Sequence, residues 1–139
     1  MPKYRYLEFW ENKGIEPAQP FGEDKKRIIR NILKDYDYMT VLEFGCGNGE
    51  LSQLIKEKNS HLTGVDISED RLQMNNDIDA KLLLDITNSD YLFPVSDLVI
   101  CSHFLLHIKP DDINLVIDKM VKYSSKYLII IEPNINEIK

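Results

Sequence analysis

The chain has 139 residues, 43% of them hydrophobic and 29% charged, with a net charge of -6 and a pI of about 5.0. That length suits one domain around one core, and the composition excludes a disordered or fibrous chain. The acidic balance argues against generic binding to nucleic-acid backbones or anionic membranes. Two cysteines, Cys46 and Cys101, are too few for a disulfide scaffold. They suit reduced thiols in the cytoplasm, and no Cys/His spacing matches a zinc site, so no metal is expected. The first 14 residues lack the apolar stretch of a signal peptide, and no apolar run reaches the length of a membrane span.

In chain order, residues 1–22 read as an irregular or short helical lead-in, with Tyr4, Tyr6, Phe9 and Trp10 as a potential flap or as packing against the rest of the fold. Residues 23–139 form the main domain. From Glu23 to Lys34 the apolar Ile28, Ile29, Ile32 and Leu33 recur at helical spacing after an acidic first turn. Met39–Phe44 reads as a buried strand, Glu50–Lys58 as a helix, and His61–Asp66 as a second strand. Ser68 caps a helix to about Met74; Ala80–Leu84 is a third strand, Asp97–Cys101 a fourth. Asp111–Tyr123 is a helix, and Lys126–Ile131 a fifth strand. Uniformly apolar strands alternating with helices predict an α/β fold with a mostly parallel sheet and helices on both faces, a three-layer sandwich. In such folds ligands lie beyond the carboxyl ends of the strands.

The first strand runs into "GCGNGE", Gly45–Glu50. Closely spaced glycines after a strand let the backbone turn tightly and approach a ligand. The dinucleotide pattern G-x-G-x-x-G puts its last glycine where this chain has Glu50. A carboxylate at that helix N-terminus repels a diphosphate. Glu43, two places ahead of the glycines, also suits a ligand without phosphates, although it serves equally as a structural partner of loop amides.

"VLEFGCGNGE", Val41–Glu50, resembles the first motif of the class I, Rossmann-like S-adenosylmethionine-dependent methyltransferases. Further pieces fall in that family's order: "GVDIS", "LLLDIT", "DLVICSHFLLHI" (resembling the small-molecule branch) and "YLIIIEPN". The resemblance implies the strand order 3-2-1-4-5 and a cofactor, S-adenosylmethionine, released as S-adenosylhomocysteine. It implies that Gly45, Cys46, Gly47 and Gly49 lie along the methionine part, with Glu43 supplying negative potential near the cofactor ammonium. Asp66 would accept both ribose hydroxyls as a charge-assisted pair. Ile67 would pack on the adenine, and Asp85 with the Ile86 backbone would read the ring edge. Cys101, ending the fourth strand, would line the same site.

Methyl transfer from a sulfonium is an in-line displacement in which the protein mainly aligns the partners. A general base helps where the acceptor loses a proton, and His103 and His107 are the candidates in the loop after the fourth strand. The fourth strand lacks the motifs of the nucleic-acid-base methyltransferases, so the expected acceptor is a small molecule or a protein side chain. Lys25, Lys26, Arg27 and Arg30 read as a solvated helix face rather than a nucleic-acid contact. Two alternatives stay open: a non-catalytic subunit that binds the cofactor and works with a partner chain, and a nicotinamide-dependent oxidoreductase, which Glu50 disfavours. The family's C-terminal antiparallel hairpin has no counterpart before Lys139, so the fifth strand is expected at a sheet edge. Pairing there with a second copy or another chain is the corresponding expectation.

Overall fold

The computed structural model describes residues 21–133. The aromatic lead-in with Tyr4, Tyr6, Phe9 and Trp10 lies outside the described residues. The elements are α1 (Glu23–Leu33), β1 (Thr40–Phe44), α2 (Glu50–Ile55), β2 (His61–Asp66), α3 (Glu69–Met74), β3 (Ala80–Leu83), β4 (Ser96–Ser102), α4 (Pro110–Tyr123) and β5 (Ser124–Ile131). Short 3-10 turns at Ile86–Asn88 and Leu105–His107 follow β3 and β4. Each expected helix and strand of the main domain is present. The largest boundary shift is α2, expected to run to Lys58. The Lys56 amide still reaches back four residues to Ser52, but the next two reach back only three, Glu57 to Leu54 and Lys58 to Ile55, and this tightens and ends the helix.

The five strands form one sheet in the order β3-β2-β1-β4-β5, and every pairing is parallel. This is the topology expected from the sequence, with β3 and β5 at the edges among the described residues. The central strands are apolar on both sides because both sides are covered. Strand side chains alternate, so β1 sends Leu42 and Phe44 to one face and Val41 to the other. The first face packs with Val99, Cys101, Val116, Met120 and Tyr123. The second packs with Leu98, Ile100, Leu54, Ile55, Ile29 and Leu33. Only half of the apolar stripe of α1 is buried: Ile29 and Leu33 are in the core, whereas Ile28 and Ile32 are exposed. Parallel strands bring Phe44, Asp66, Leu83, Ser102 and Ile131 to the same edge of the sheet, with the loops that follow them.

Candidate functional site

The site is built around the turn between β1 and α2. Gly45, Gly47 and Gly49 all adopt positive φ (67°, 52° and 107°). At Gly45 the reason is double: the backbone is left-handed, and a Cβ there would stand 2.6 Å from Phe104 Cδ2. The turn hooks over the end of β2, where the Gly45 and Cys46 amides both donate to Val65 O (2.8 and 3.1 Å). A Cβ built on Gly47 meets nothing within 4 Å, so the middle of the turn borders open space.

Asp66 ends β2 directly beside this turn. Its Oδ2 accepts the Gly47 N–H (2.8 Å) and its Oδ1 the Ser68 N–H (2.9 Å). Burial raises its pKa, while the N–H groups of Ser68 and Gly47 oppose the shift. Each oxygen keeps a lone pair for a further donor. Ile67 is half-buried against the core on the α4 side.

Glu43 is the least expected element. It is 2% exposed, and its Oε1 accepts the Ser52 hydroxyl at 2.6 Å. Burial pushes its pKa from 4.5 to about 8, the Ser52 bond pulls it down, and Asp66 and Asp77 push it up. Glu43 is therefore largely protonated near neutral pH, not the standing anion expected from the sequence. A buried carboxyl without a cationic partner holds its proton because ionising it there costs more than in water.

Asp85 caps the turn after β3: its Oδ1 accepts both the N–H (2.9 Å) and the hydroxyl (2.6 Å) of Thr87. The Ile86 side chain is buried in the core, and its carbonyl accepts from Lys119 Nζ (2.5 Å). Cys46 is buried against Gly64 on β2, where a Cβ would lie 2.9 Å from Cys46 Sγ; burial raises its thiol pKa. Cys101 is 0% exposed and packs in the core, its pKa pushed up to about 12 by burial. Packed between sheet and α4, Cys101 offers a ligand no surface, which corrects its expected place in the lining.

The loop after β4 carries both histidines. His103 has φ 51°, the one non-glycine residue with positive φ among the described residues. Its N–H donates to Ile131 O (2.8 Å), and its Nε2 lies 2.6 Å from Lys25 Nζ. Lys25 was expected on a solvated helix face; it is instead half-buried and turned to this loop. His107 closes the 3-10 turn, its N–H donating to Phe104 O (3.1 Å). The turn is also held by Glu132, whose Oε1 accepts the Leu105 N–H (2.9 Å).

The structure thus brings Glu43, the glycine turn and Asp66 together at the end of β1 and β2, with Asp85 beyond β3 and the histidines beyond β4. Sequence reasoning missed Ser52, Asn75, Phe104 and Glu132. The hydrogen-bond partners of Ser52, Asn75 and Glu132 lie 9 to 28 positions away, and Phe104 packs against the distant Gly45, so no local pattern marks them. Among the described residues no helix is long and apolar enough to cross a membrane, and no cluster of three His, Cys, Asp or Glu residues is poised to hold a metal.

A doubly covered parallel sheet in 3-2-1-4-5 order, with a glycine turn backed by carboxylates at its carboxyl edge, defines a Rossmann-like α/β protein. The model of the methyltransferase domain family matches residues 42–125, and the chain belongs to that family. It is 33% identical over 112 residues to the ubiquinone biosynthesis O-methyltransferase of Idiomarina loihiensis, covering 74% of this chain and 46% of that protein. The fold is similar to the PH0226 protein from Pyrococcus horikoshii OT3 (TM-score 0.72, 23% identity, 92% of this chain and 68% of that one). It is also similar to magnesium protoporphyrin IX methyltransferase from Synechocystis PCC 6803, solved with bound SAM (TM-score 0.62, 17% identity, 90% and 70%). The chain spans less than half the length of the curated relatives it matches.

Proposed function

We propose that this chain binds S-adenosylmethionine and transfers its methyl group to a small molecule or a protein side chain, releasing S-adenosylhomocysteine. The observation that carries this reading is the glycine turn, open above Gly47 and tied through its N–H to the Asp66 carboxylate. The donor set fits the cofactor. Asp66 has lone pairs for a ribose diol, and carboxyls at Glu43 and Asp66 suit a ligand with a sulfonium and an ammonium. Glu50 opens α2 where a diphosphate would need a bare helix N-terminus, so the same turn is poorly suited to a nicotinamide dinucleotide.

In this reading Gly45–Gly49 receive the methionine part, Asp66 the ribose, and Ile67 the adenine face, with Asp85 and the Ile86 main chain at its edge. The bound cofactor supplies an already activated methyl group. The chain's own residues orient it, exclude water and, where the acceptor carries a proton, take that proton. His107 and His103 are the groups proposed for that last task. Two buried free thiols suit the reducing cytoplasm as the place of action.

Calorimetric titration of the chain with S-adenosylhomocysteine, with NADH as control and Asp66→Ala alongside, tests the proposal. Binding of S-adenosylhomocysteine alone, lost in the variant, is expected. Binding of NADH in preference, or of neither ligand, overturns it.

A further inference from the structure

Asn75, the residue that follows α3, is 0% exposed. An asparagine buried to that degree persists only with its donors and acceptor paired. Here one Nδ2 donates to both Ser52 Oγ (3.0 Å) and Gly47 O (3.3 Å), and Oδ1 accepts the Asp77 N–H (3.0 Å). The contact with the glycine turn is also steric, since a Cβ on Gly49 would stand 3.0 Å from Asn75 Oδ1. Gly47 is therefore held from both sides: Asp66 takes its N–H and Asn75 its carbonyl. Because Ser52 Oγ accepts from Asn75, its single hydrogen is directed to Glu43 Oε1. One side chain thus sets both the turn and the orientation of the buried carboxyl bond beneath it.

We propose that Asn75 is a positioning residue for the amino-acid end of the cofactor, acting through Gly47 and through Ser52–Glu43 without touching the ligand. The proposal rests on the assignment of the glycine turn to S-adenosylmethionine made above. It separates the two halves of that ligand: the nucleoside is held by Asp66, Ile67 and Asp85, the amino-acid end by the turn that Asn75 shapes.

The test compares S-adenosylhomocysteine with 5′-methylthioadenosine, which keeps the nucleoside and thioether but has no amino-acid end. Both are titrated calorimetrically into the wild-type chain, Asn75→Asp and Ser52→Ala, with thermal melts beside them. Asn75→Asp keeps the shape and the Asp77 bond but has no amide hydrogens for Gly47 O or Ser52. Affinity for S-adenosylhomocysteine is expected to fall about tenfold or more in Asn75→Asp. Affinity for methylthioadenosine stays within about twofold. Ser52→Ala, which cuts the link to Glu43 and the Asn75–Ser52 bond but leaves Asn75 on the Gly47 carbonyl, shows a smaller loss with the same selectivity, and decides the matter if Asn75→Asp does not fold. Unchanged affinity for S-adenosylhomocysteine, or equal losses for both ligands, overturns the proposal and leaves Asn75 a structural residue. A wild-type chain that binds neither ligand sinks the cofactor assignment itself, a result distinct from either of these.

Discussion

The Gly47 amide and the Asp66 carboxylate meet at 2.8 Å across the ends of two neighbouring strands. The carboxylate proposed to hold the ribose is therefore also a brace of the glycine turn. Asp66→Ala removes both functions at once, and affinity for S-adenosylhomocysteine is expected to fall about a hundredfold or more, the loss of two hydrogen bonds to a charged acceptor. Asp66→Asn keeps one oxygen acceptor and is expected to lose less. Titration of both variants checks the order; an Asn variant as weak as the Ala variant would place the whole effect on charge.

Glu43 predicts a pH dependence whose sign follows from its raised pKa, about 8 against 4.5 for an ordinary glutamate. The folded chain holds this proton more tightly than the unfolded chain. The associated stability is fully present below about pH 4.5 and is lost as pH rises through about 8. Glu43→Gln cannot ionise, so the stability difference between wild type and variant shrinks or reverses in favour of the variant as pH rises over that window. Denaturant unfolding at a series of pH values measures it; parallel curves would show that Glu43 is ionised in the folded chain at neutral pH.

The same carboxyl predicts proton release on cofactor binding. A ligand ammonium near Glu43 favours its ionised form, so binding at pH 7 expels protons, and affinity rises with pH toward about 8. Calorimetry with S-adenosylhomocysteine in buffers of different ionisation enthalpy gives the number released. Glu43→Gln is expected to abolish most of the buffer dependence; a variant with undiminished release would assign the protons elsewhere.

Gly64 faces two side chains at once. A Cβ there would lie 2.5 Å from Ile78 Cδ1 and 2.9 Å from Cys46 Sγ. Gly64→Ala is expected to cost about 1–3 kcal/mol through overpacking in the middle of β2. Ile78→Val in the same chain removes the nearer methyl and is expected to recover part of that loss, although it is itself mildly destabilising alone. A double-mutant cycle by chemical denaturation reads the coupling; strict additivity would contradict the contact.

His103 occupies left-handed backbone at φ 51°. His103→Gly is expected to fold with little loss from the backbone, whereas His103→Val should be less stable than the glycine variant by about 1–2 kcal/mol, because a β-branched residue is costly there. Thermal melts of the two variants compare them directly, and equal stability would count against the strained geometry.

Strand and helix periodicity was legible because each segment's apolar pattern reflects what covers it. "VLEF" and "HLTGVD" are apolar through and through since both faces of the sheet are packed, and the alternation of elements implied parallel strands. The glycine turn and the carboxylates Glu43, Asp66 and Asp85 were also visible, as each lies beside a strand end along the chain. Composition and spacing by themselves determined that much: an α/β core and a phosphate-averse glycine site. What residues distant in sequence do to one another is a matter of tertiary structure alone. Burial beside Ser52 turns Glu43 from an anion into a largely protonated carboxyl. Packing removes Cys101 from the site, and the turn of α1 draws Lys25 out of solvent to His103. Asn75 reaches Gly47 across 28 positions of chain. Desolvation and long-range hydrogen bonding depend on which surfaces meet, and no local pattern in the chain encodes that meeting.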